Sequence, residues 1–211
     1  MANRLLVQIK RFLAFCYDRG WIDENPLATV VRRNIGGKEK PKDRNLSDDE
    51  ITNNLRSLWG CFSPGVRWAL YGCLLIGQRA TEVLKITDQG TVITKMNREH
   101  QIPMTPAVRA WIKSRPTALP RDHRVLSHAL RRQGADFTPH DLRRTFASRL
   151  ADLGVAPHVI EKLLDHQMVG VMAVYNRAEF WPERVTAQRL WDKKLLSLRK
   201  KRNRGAETLP G

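Results

Sequence analysis

Between residues 4 and 19, Leu5, Leu6, Ile9, Phe12, Leu13 and Cys16 recur at helical spacing. That period predicts an amphipathic helix with the stripe buried, and Gly20 supplies its stop. Beyond Pro26 the pattern decays into Gly36-Gly37-Lys38-Glu39-Lys40-Pro41-Lys42-Asp43-Arg44, which is glycine, proline and charge without an apolar period. Such a stretch reads as a linker. Ser47-Asp48-Asp49-Glu50 then has the form of a capping box, opening a helix with Ile51, Leu55 and Leu58 on its buried face. Residues 64–77 are apolar on most sides and predict a central helix interrupted at Gly77, after which Arg79 to Leu84 resumes helical character. Over 91–104, β-branched residues flank a polar Met96-Asn97-Arg98-Glu99 centre, the pattern of a short hairpin.

Further on, Thr138-Pro139-His140-Asp141 offers an N-cap, a proline at the first helical position and an acid at the third. Leu142, Phe146, Leu150 and Leu153 are the expected buried stripe, and Gly154 the stop. Pro157 opens another helix with Val159, Ile160, Leu163 and Leu164 inside. A last helix over 182–198 would bury Val185, Leu190, Trp191, Leu195 and Leu198, leaving Arg199-Lys200-Lys201-Arg202-Asn203-Arg204 as a solvated, disordered basic run. No internal repeat occurs. The fold class is α+β, predominantly helical, with a small hairpin sheet.

Composition narrows the partner. The chain has 37 Lys+Arg against 21 Asp+Glu, a formal charge of +16, on a globular background of 42% hydrophobic residues. So large a positive surplus points to an anionic polymer, although charge alone does not separate nucleic acid from an acidic membrane surface or the ribosome. The longest apolar runs fall short of the roughly 18–20 residues that cross a bilayer, so the chain reads as soluble, with no membrane among its expected partners. The first residues do not form a signal-peptide core. Three cysteines, Cys16, Cys61 and Cys73, without a CxxC pair, argue against a disulfide framework and a zinc site and suit a reducing cytosol.

The chain lacks GxxxxGK[ST], GxGxxG after a strand, GxSxG and HExxH, and its six histidines do not fall at metal-ligand spacing. No cofactor and no metal are therefore expected. What is present is a set of cations near helix ends and one tyrosine. His140 and Arg143, at i and i+3, project from one side of a helix's first turn, where amides and the helix dipole favour an anion. Taken singly, each residue also has an ordinary reading. Arg79 is three positions from Glu82 and suits an ion pair; Lys95 suits a solvated turn; His166 a helix end; Tyr175 a packing position.

Their order changes the picture. Arg79, Lys95, His140-Asp141-Leu142-Arg143, His166 and Tyr175 stand in the order of the active-site residues of tyrosine recombinases, the phage integrase family. The stretches that resemble the family are Gly77-Gln78-Arg79-Ala80-Thr81-Glu82-Val83-Leu84, Thr94 to Met104, Thr138 to Ala147 with its HxLRR-like box, and Leu164-Asp165-His166 with Tyr175 nine positions on. Gly170 to Arg177 and the following helix look most like prophage integrases of the P4 type. The resemblance spans roughly 45–198, and residues 4–35 resemble the last helix of the family's core-binding domain.

That resemblance implies a site-specific DNA recombinase or integrase, a DNA strand transferase that cuts and rejoins DNA through a 3′-phosphotyrosyl intermediate. It assigns Arg79 and Arg143 to the non-bridging phosphate oxygens, Tyr175 to the attack, His140 to general base, Lys95 to protonation of the leaving 5′-oxygen, and His166 to donation to the phosphate. It implies double-stranded DNA at attachment sites as partner, a homo-oligomer on DNA, and the cytoplasm of a bacterial host at the nucleoid. The expected organisation is 1–36 as a remnant of the core-binding domain, 37–45 as linker, 46–198 as catalytic domain and 199–211 as basic tail. Two regions are shorter than the family pattern. Only Gln89 to Thr94 precedes Lys95 where the family has room for another strand, and Ser127 to Thr138 is compact where the family has a longer loop and helix. The resemblance also implies that most of the core-binding domain is missing, and these features support two alternatives: a truncated or decayed prophage integrase that keeps the catalytic residues but recombines poorly, and a truncated, non-catalytic DNA-binding relative of an integrase. Nicking and resealing in the manner of a type IB topoisomerase is a further reading.

Overall fold

The computed structural model describes residues 2–31, 35, 44–53, 59–94, 96–166 and 179–204, without the side chains of 59 and 201–204. The chain forms two units, Met1–Asp43 and Arg44–Gly211.

In the first unit, α1 (Ala2–Asp18) ends where expected, with Gly20 at φ +68° and the Trp21 amide bonded back to the Cys16 carbonyl. Its apolar stripe is only partly covered. Leu6 and Cys16 are buried, whereas Leu5, Ile9 and Phe12 are exposed, contrary to the expectation of one buried face. A stripe of this width needs a facing apolar layer. Beside α1 runs a turn-rich return segment held by its backbone, with Lys10 Nζ donating to the carbonyls of Ala28 (2.8 Å) and Val30 (3.0 Å).

The second unit begins at Arg44, whose guanidinium pairs with Glu50 and with Asp136. The capping box forms as read: the Ser47 amide donates to Glu50 Oε2 and the Glu50 amide to Ser47 Oγ, starting α2 (Asp48–Asn53). Ile51 is buried, while Leu55 and Leu58 lie outside the described residues. After α3 (Trp59–Cys61), helix α4 (Pro64–Ile76) runs through the middle of the core with ten of its residues buried. A short α5 (Ala80–Val83) follows. Strands β1 (Thr91–Ile93) and β2 (Glu99–Gln101) pair antiparallel with Val92 opposite His100, the hairpin the pattern announced.

Two helices were not anticipated. α6 (Pro106–Lys113) packs on α4 through stacked Trp68 and Trp111, whose ring centroids are 4.5 Å apart. Each indole N–H donates to the other's backbone carbonyl, so both polar tips are satisfied in the core. α7 (Arg124–Arg132) fills much of the stretch read as compact. It buries only Leu126 and Leu130, one i,i+4 pair among basic and polar residues, too sparse a signal to read from the chain.

α8 (Pro139–Asp152) opens on a second capping box, Thr138 with Asp141, and buries Leu142, Phe146 and Leu150. Leu153 is exposed because the helix has ended and the chain turns away at Gly154. α9 (Pro157–Leu163) buries Val159, Ile160 and Leu163 as expected. α10 (Trp181–Arg204) continues through the basic run that was read as disordered. Its inner face is Arg184, Ala187, Gln188, Trp191, Asp192, Leu195 and Leu198, so Leu190 is left outside. Trp191 is fully buried edge-on to Phe146 and donates to the Leu74 carbonyl (2.9 Å). Thus α4, α8 and α10 meet in one apolar centre.

Gly77 joins α4 to the site. It sits at φ +63°, and a Cβ there would lie 2.2 Å from the Phe146 ring. Gly77→Ala combines left-handed strain with overpacking and should cost about 2–5 kcal/mol. Urea or thermal unfolding checks this, and a loss under about 1 kcal/mol would contradict it.

Candidate active site

The turn from α4 to α5, the start of α8 and the end of α9 converge. Arg79, Thr81, His123, Ser127, His140 and Arg143 line one open cleft of roughly 300 Å³. Three of the residues singled out from the sequence are therefore brought together, and a fourth, His166, adjoins them through Arg143.

Arg143 is the best anchored. It is 3% exposed, yet Nη1 donates to the Gly77 carbonyl (3.0 Å), and Nη2 donates both to the Leu164 carbonyl (2.8 Å) and to His166 Nε2 (2.8 Å). The carbonyls are those left open by helix ends, which need donors from elsewhere. Burial, and then the neighbouring Arg79 cation, push the Arg143 guanidinium down to about 10, still charged at neutral pH. Glu82, 2% exposed, approaches it at 3.9 Å. The same carboxylate accepts from Arg79 twice, from the backbone amide (2.9 Å) and from Nη1 (2.8 Å). One buried carboxylate thus sets the position of both arginines, and Arg79, 35% exposed, keeps the rest of its guanidinium towards the cleft.

The hydrogen bonds define the form of His166. Arginine only donates, so Nε2 is an acceptor and Nδ1 carries the proton, which it gives to Glu161 Oε2 (2.7 Å). His140, at the open mouth of α8, has its basicity lowered from the ordinary 6.5, first by partial desolvation of its ring and then by Arg144 and Arg143. Its neutral form, able to accept a proton, is therefore favoured at neutral pH. Asp141, the capping acid, accepts from the Thr138 amide, from Thr138 Oγ1 and from Arg144, holding the first turn of α8 in place.

Lys95 and Tyr175 lie outside the described residues. Glu82, Gln78 and Glu161 were not among the candidates. Gln78, fully buried, donates to the Leu163 carbonyl (2.7 Å) and docks the α4–α5 turn on the end of α9. Glu82 carried a signal in the sequence, its spacing from Arg79. Glu161 is five residues before His166 and reads as an ordinary surface acid. Among the described residues, no helix is long and apolar enough to cross a membrane.

A cation-lined cleft with two arginines, a neutral imidazole and a polarised second imidazole suits a phosphate whose charge rises during reaction. Comparison with known proteins points the same way. Residues 121–180 match the phage integrase family. The chain is 24% identical over 211 residues to tyrosine recombinase XerC of Haemophilus influenzae, covering 83% of this chain and 69% of the relative. It is 25% identical over 217 residues to XerC of Alcanivorax borkumensis (84% and 69%), and 26% over 215 residues to tyrosine recombinase XerD of Lacticaseibacillus casei (82% and 71%). In three dimensions it is similar to the integrase from mycobacterium phage Brujita, with a TM-score of 0.56 over 92% of this chain and 75% of that one, at 17% identity, a likeness of fold.

Arg143 holds this arrangement together. Arg143→Ala leaves two buried carbonyls without donors and should cost about 2–4 kcal/mol. Its neighbour Arg144→Ala, which loses only the part-exposed pair with Asp141, should cost under about 1 kcal/mol. Denaturant unfolding of the two variants side by side reads the difference, and equal losses would contradict the anchoring of Arg143.

Proposed function

We propose a chemistry for this cleft from one premise: the chain belongs to the phage integrase family of tyrosine recombinases and is a site-specific DNA strand transferase. The observation that carries the proposal is the convergence of Arg79, His140 and Arg143 on one cleft, with His166 bonded to Arg143.

A phosphodiester of the DNA backbone enters the cleft and its non-bridging oxygens meet Arg79 and Arg143. Tyr175 attacks phosphorus, forming a 3′-phosphotyrosyl bond as the bond to the 5′-oxygen breaks. The phenol proton passes to neutral His140, and Lys95 gives a proton to the departing 5′-oxygen. The two arginines and their Glu82 clamp are already ordered, so little reorganisation accompanies the rise of charge on the phosphate. The phosphate takes the Arg143 proton now held by His166. The freed imidazole, its Nδ1–H kept on Glu161, takes a proton from solvent water on Nε2 and then donates that N–H to the phosphate. The free energy of the broken bond stays in the phosphotyrosine, so rejoining is the same step reversed, with attack by a 5′-hydroxyl.

The partner is double-stranded DNA at attachment sites, engaged by more than one copy of the chain, in the cytoplasm of a bacterial host at the nucleoid. The charge of +16 supports this reading through counterion release from phosphates.

Covalent trapping tests the nucleophile. Nicked suicide duplexes incubated with wild type should give a slow protein–DNA band on denaturing gels, and Tyr175→Phe should give none while binding DNA equally well. A band in the phenylalanine variant would move the nucleophile elsewhere. No band from either protein, with binding intact, would favour the non-catalytic DNA-binding alternative.

A pH profile tests the base. Because burial and the Arg144 and Arg143 charges penalise the imidazolium, neutral His140 persists below the ordinary 6.5, and single-turnover cleavage should fall only as pH drops through that lowered value. His140→Gln should cleave more slowly and lose this acid limb. An unchanged limb in that variant would assign it to another group.

A further inference from the structure

Asp165 stands where α9 has ended, at φ +52°, a left-handed conformation that glycine adopts freely and other residues adopt at a cost of about 1–2 kcal/mol. Its carboxylate does not close the helix end. Instead it takes both of its oxygens across to the hairpin, accepting from Arg98 Nη2 at 3.0 and 3.2 Å. Arg98 is 47% exposed, so the pair adds little to stability. A strained backbone holding an acid in a part-exposed bridge is a poor arrangement for stability alone and a reasonable one for positioning.

What the bridge joins is specific. Arg98 closes the turn between β1 and β2, where the Thr94 amide bonds to the Arg98 carbonyl and the Asn97 amide to the Thr94 carbonyl, with Asn97 at φ +56°. Lys95 falls within that turn in the sequence. On the other side, Asp165 lies between Leu164, whose carbonyl receives Arg143, and His166, whose Nε2 receives the same guanidinium. Deeper in, His100 of β2 donates from Nε2 to the Leu163 carbonyl (3.1 Å), and Arg184 bonds to the Gln101 carbonyl. These inner contacts hold the strand. Among the described residues, the Arg98–Asp165 bridge ties the turn itself to the end of α9.

We infer that Asp165 is a positioning residue, latching the hairpin turn through Arg98 so that the proton donor for the leaving 5′-oxygen is held in register with the Arg143–His166 side of the phosphate cleft. The inference rests on the proposed role of Lys95.

The test uses the full chain and two suicide duplexes that differ at one atom, with a 5′-bridging oxygen or a 5′-bridging sulfur at the scissile phosphate. A thiolate leaves without being protonated, so only the oxygen substrate needs the acid. Asp165→Gly relieves the backbone strain while removing the carboxylate, and should fold at least as stably as wild type. Asp165→Gly and Arg98→Ala should each slow single-turnover cleavage of the oxygen substrate about 10–100-fold, the penalty of misplacing a reacting group by about an ångström. Both should cleave the sulfur substrate within about threefold of wild type, and the double variant should be no slower than either single one, since both remove the same bridge. Equal slowing on both substrates, no slowing on either, or additive losses in the double variant would overturn the latch. Lys95→Ala separates the two levels. If sulfur rescues it but not Asp165→Gly, the latch alone fails. If sulfur does not rescue Lys95→Ala, the acid role of Lys95 fails and the latch with it.

Discussion

The site depends on a guanidinium placed where water does not solvate it. Burying Arg143 is costly unless all of its donors find partners, and the partners come from three separate segments: the Gly77 carbonyl after α4, the Leu164 carbonyl after α9, and His166 beyond it. Helix ends carry carbonyls without intrahelical donors, so one residue of α8 resolves the open valences of two other helices. The cation cannot be removed without loosening the junction. In the proposed reaction its binding surface and its structural surface are the same group.

The approach of the helices allows this. Gly77 lets the end of α4 close on Phe146, and Phe146 in turn meets Trp191 of α10 edge-on, so the apolar centre and the polar junction share one wall. Gln78 reinforces the junction by donating to Leu163, and His100 donates to the same carbonyl from the hairpin. Glu82 completes it from below, fixing Arg79 by backbone and side chain together and lying 3.9 Å from Arg143. Two like charges, one buried and one part-exposed, are thereby kept beside one cleft, where they would otherwise repel, by a single buried carboxylate. In the proposed reaction an incoming phosphate would meet donors already aimed, the condition under which electrostatic stabilisation of a transition state is strongest.

Much of this was legible along the chain, and the exceptions have physical causes. The capping box at Ser47 and the N-cap at Thr138 were read correctly because a cap is a contact over three residues, and the central helix because its apolar character is continuous. α7 escaped notice because two buried leucines in a basic segment leave no period to see. The stripe of α1 reads as one buried face although only its Leu6 and Cys16 are buried, since periodicity reports which face is apolar and not what lies opposite. Leu190 was placed inside for the same reason. The actual inner face of α10 carries Arg184, Gln188 and Asp192, polar residues made tolerable by partners such as the Gln101 and Leu75 carbonyls.

By itself the sequence determined the helix-rich class, the hairpin, the principal helix starts and the ordered set of Arg79, Lys95, His140, Arg143, His166 and Tyr175 that resembles one family. Caps, periods and motif order are local or linear properties, written within a few residues of one another or in their succession. Tertiary structure alone decided that Arg143 is buried and three times bonded, that Glu82 serves two arginines, that Glu161 selects the tautomer of His166, and that Asp165 reaches Arg98 across 67 residues. Those are contacts between segments far apart in the chain, formed only because α4, α8 and α9 pack closely enough for one element's open carbonyls to meet another's donors.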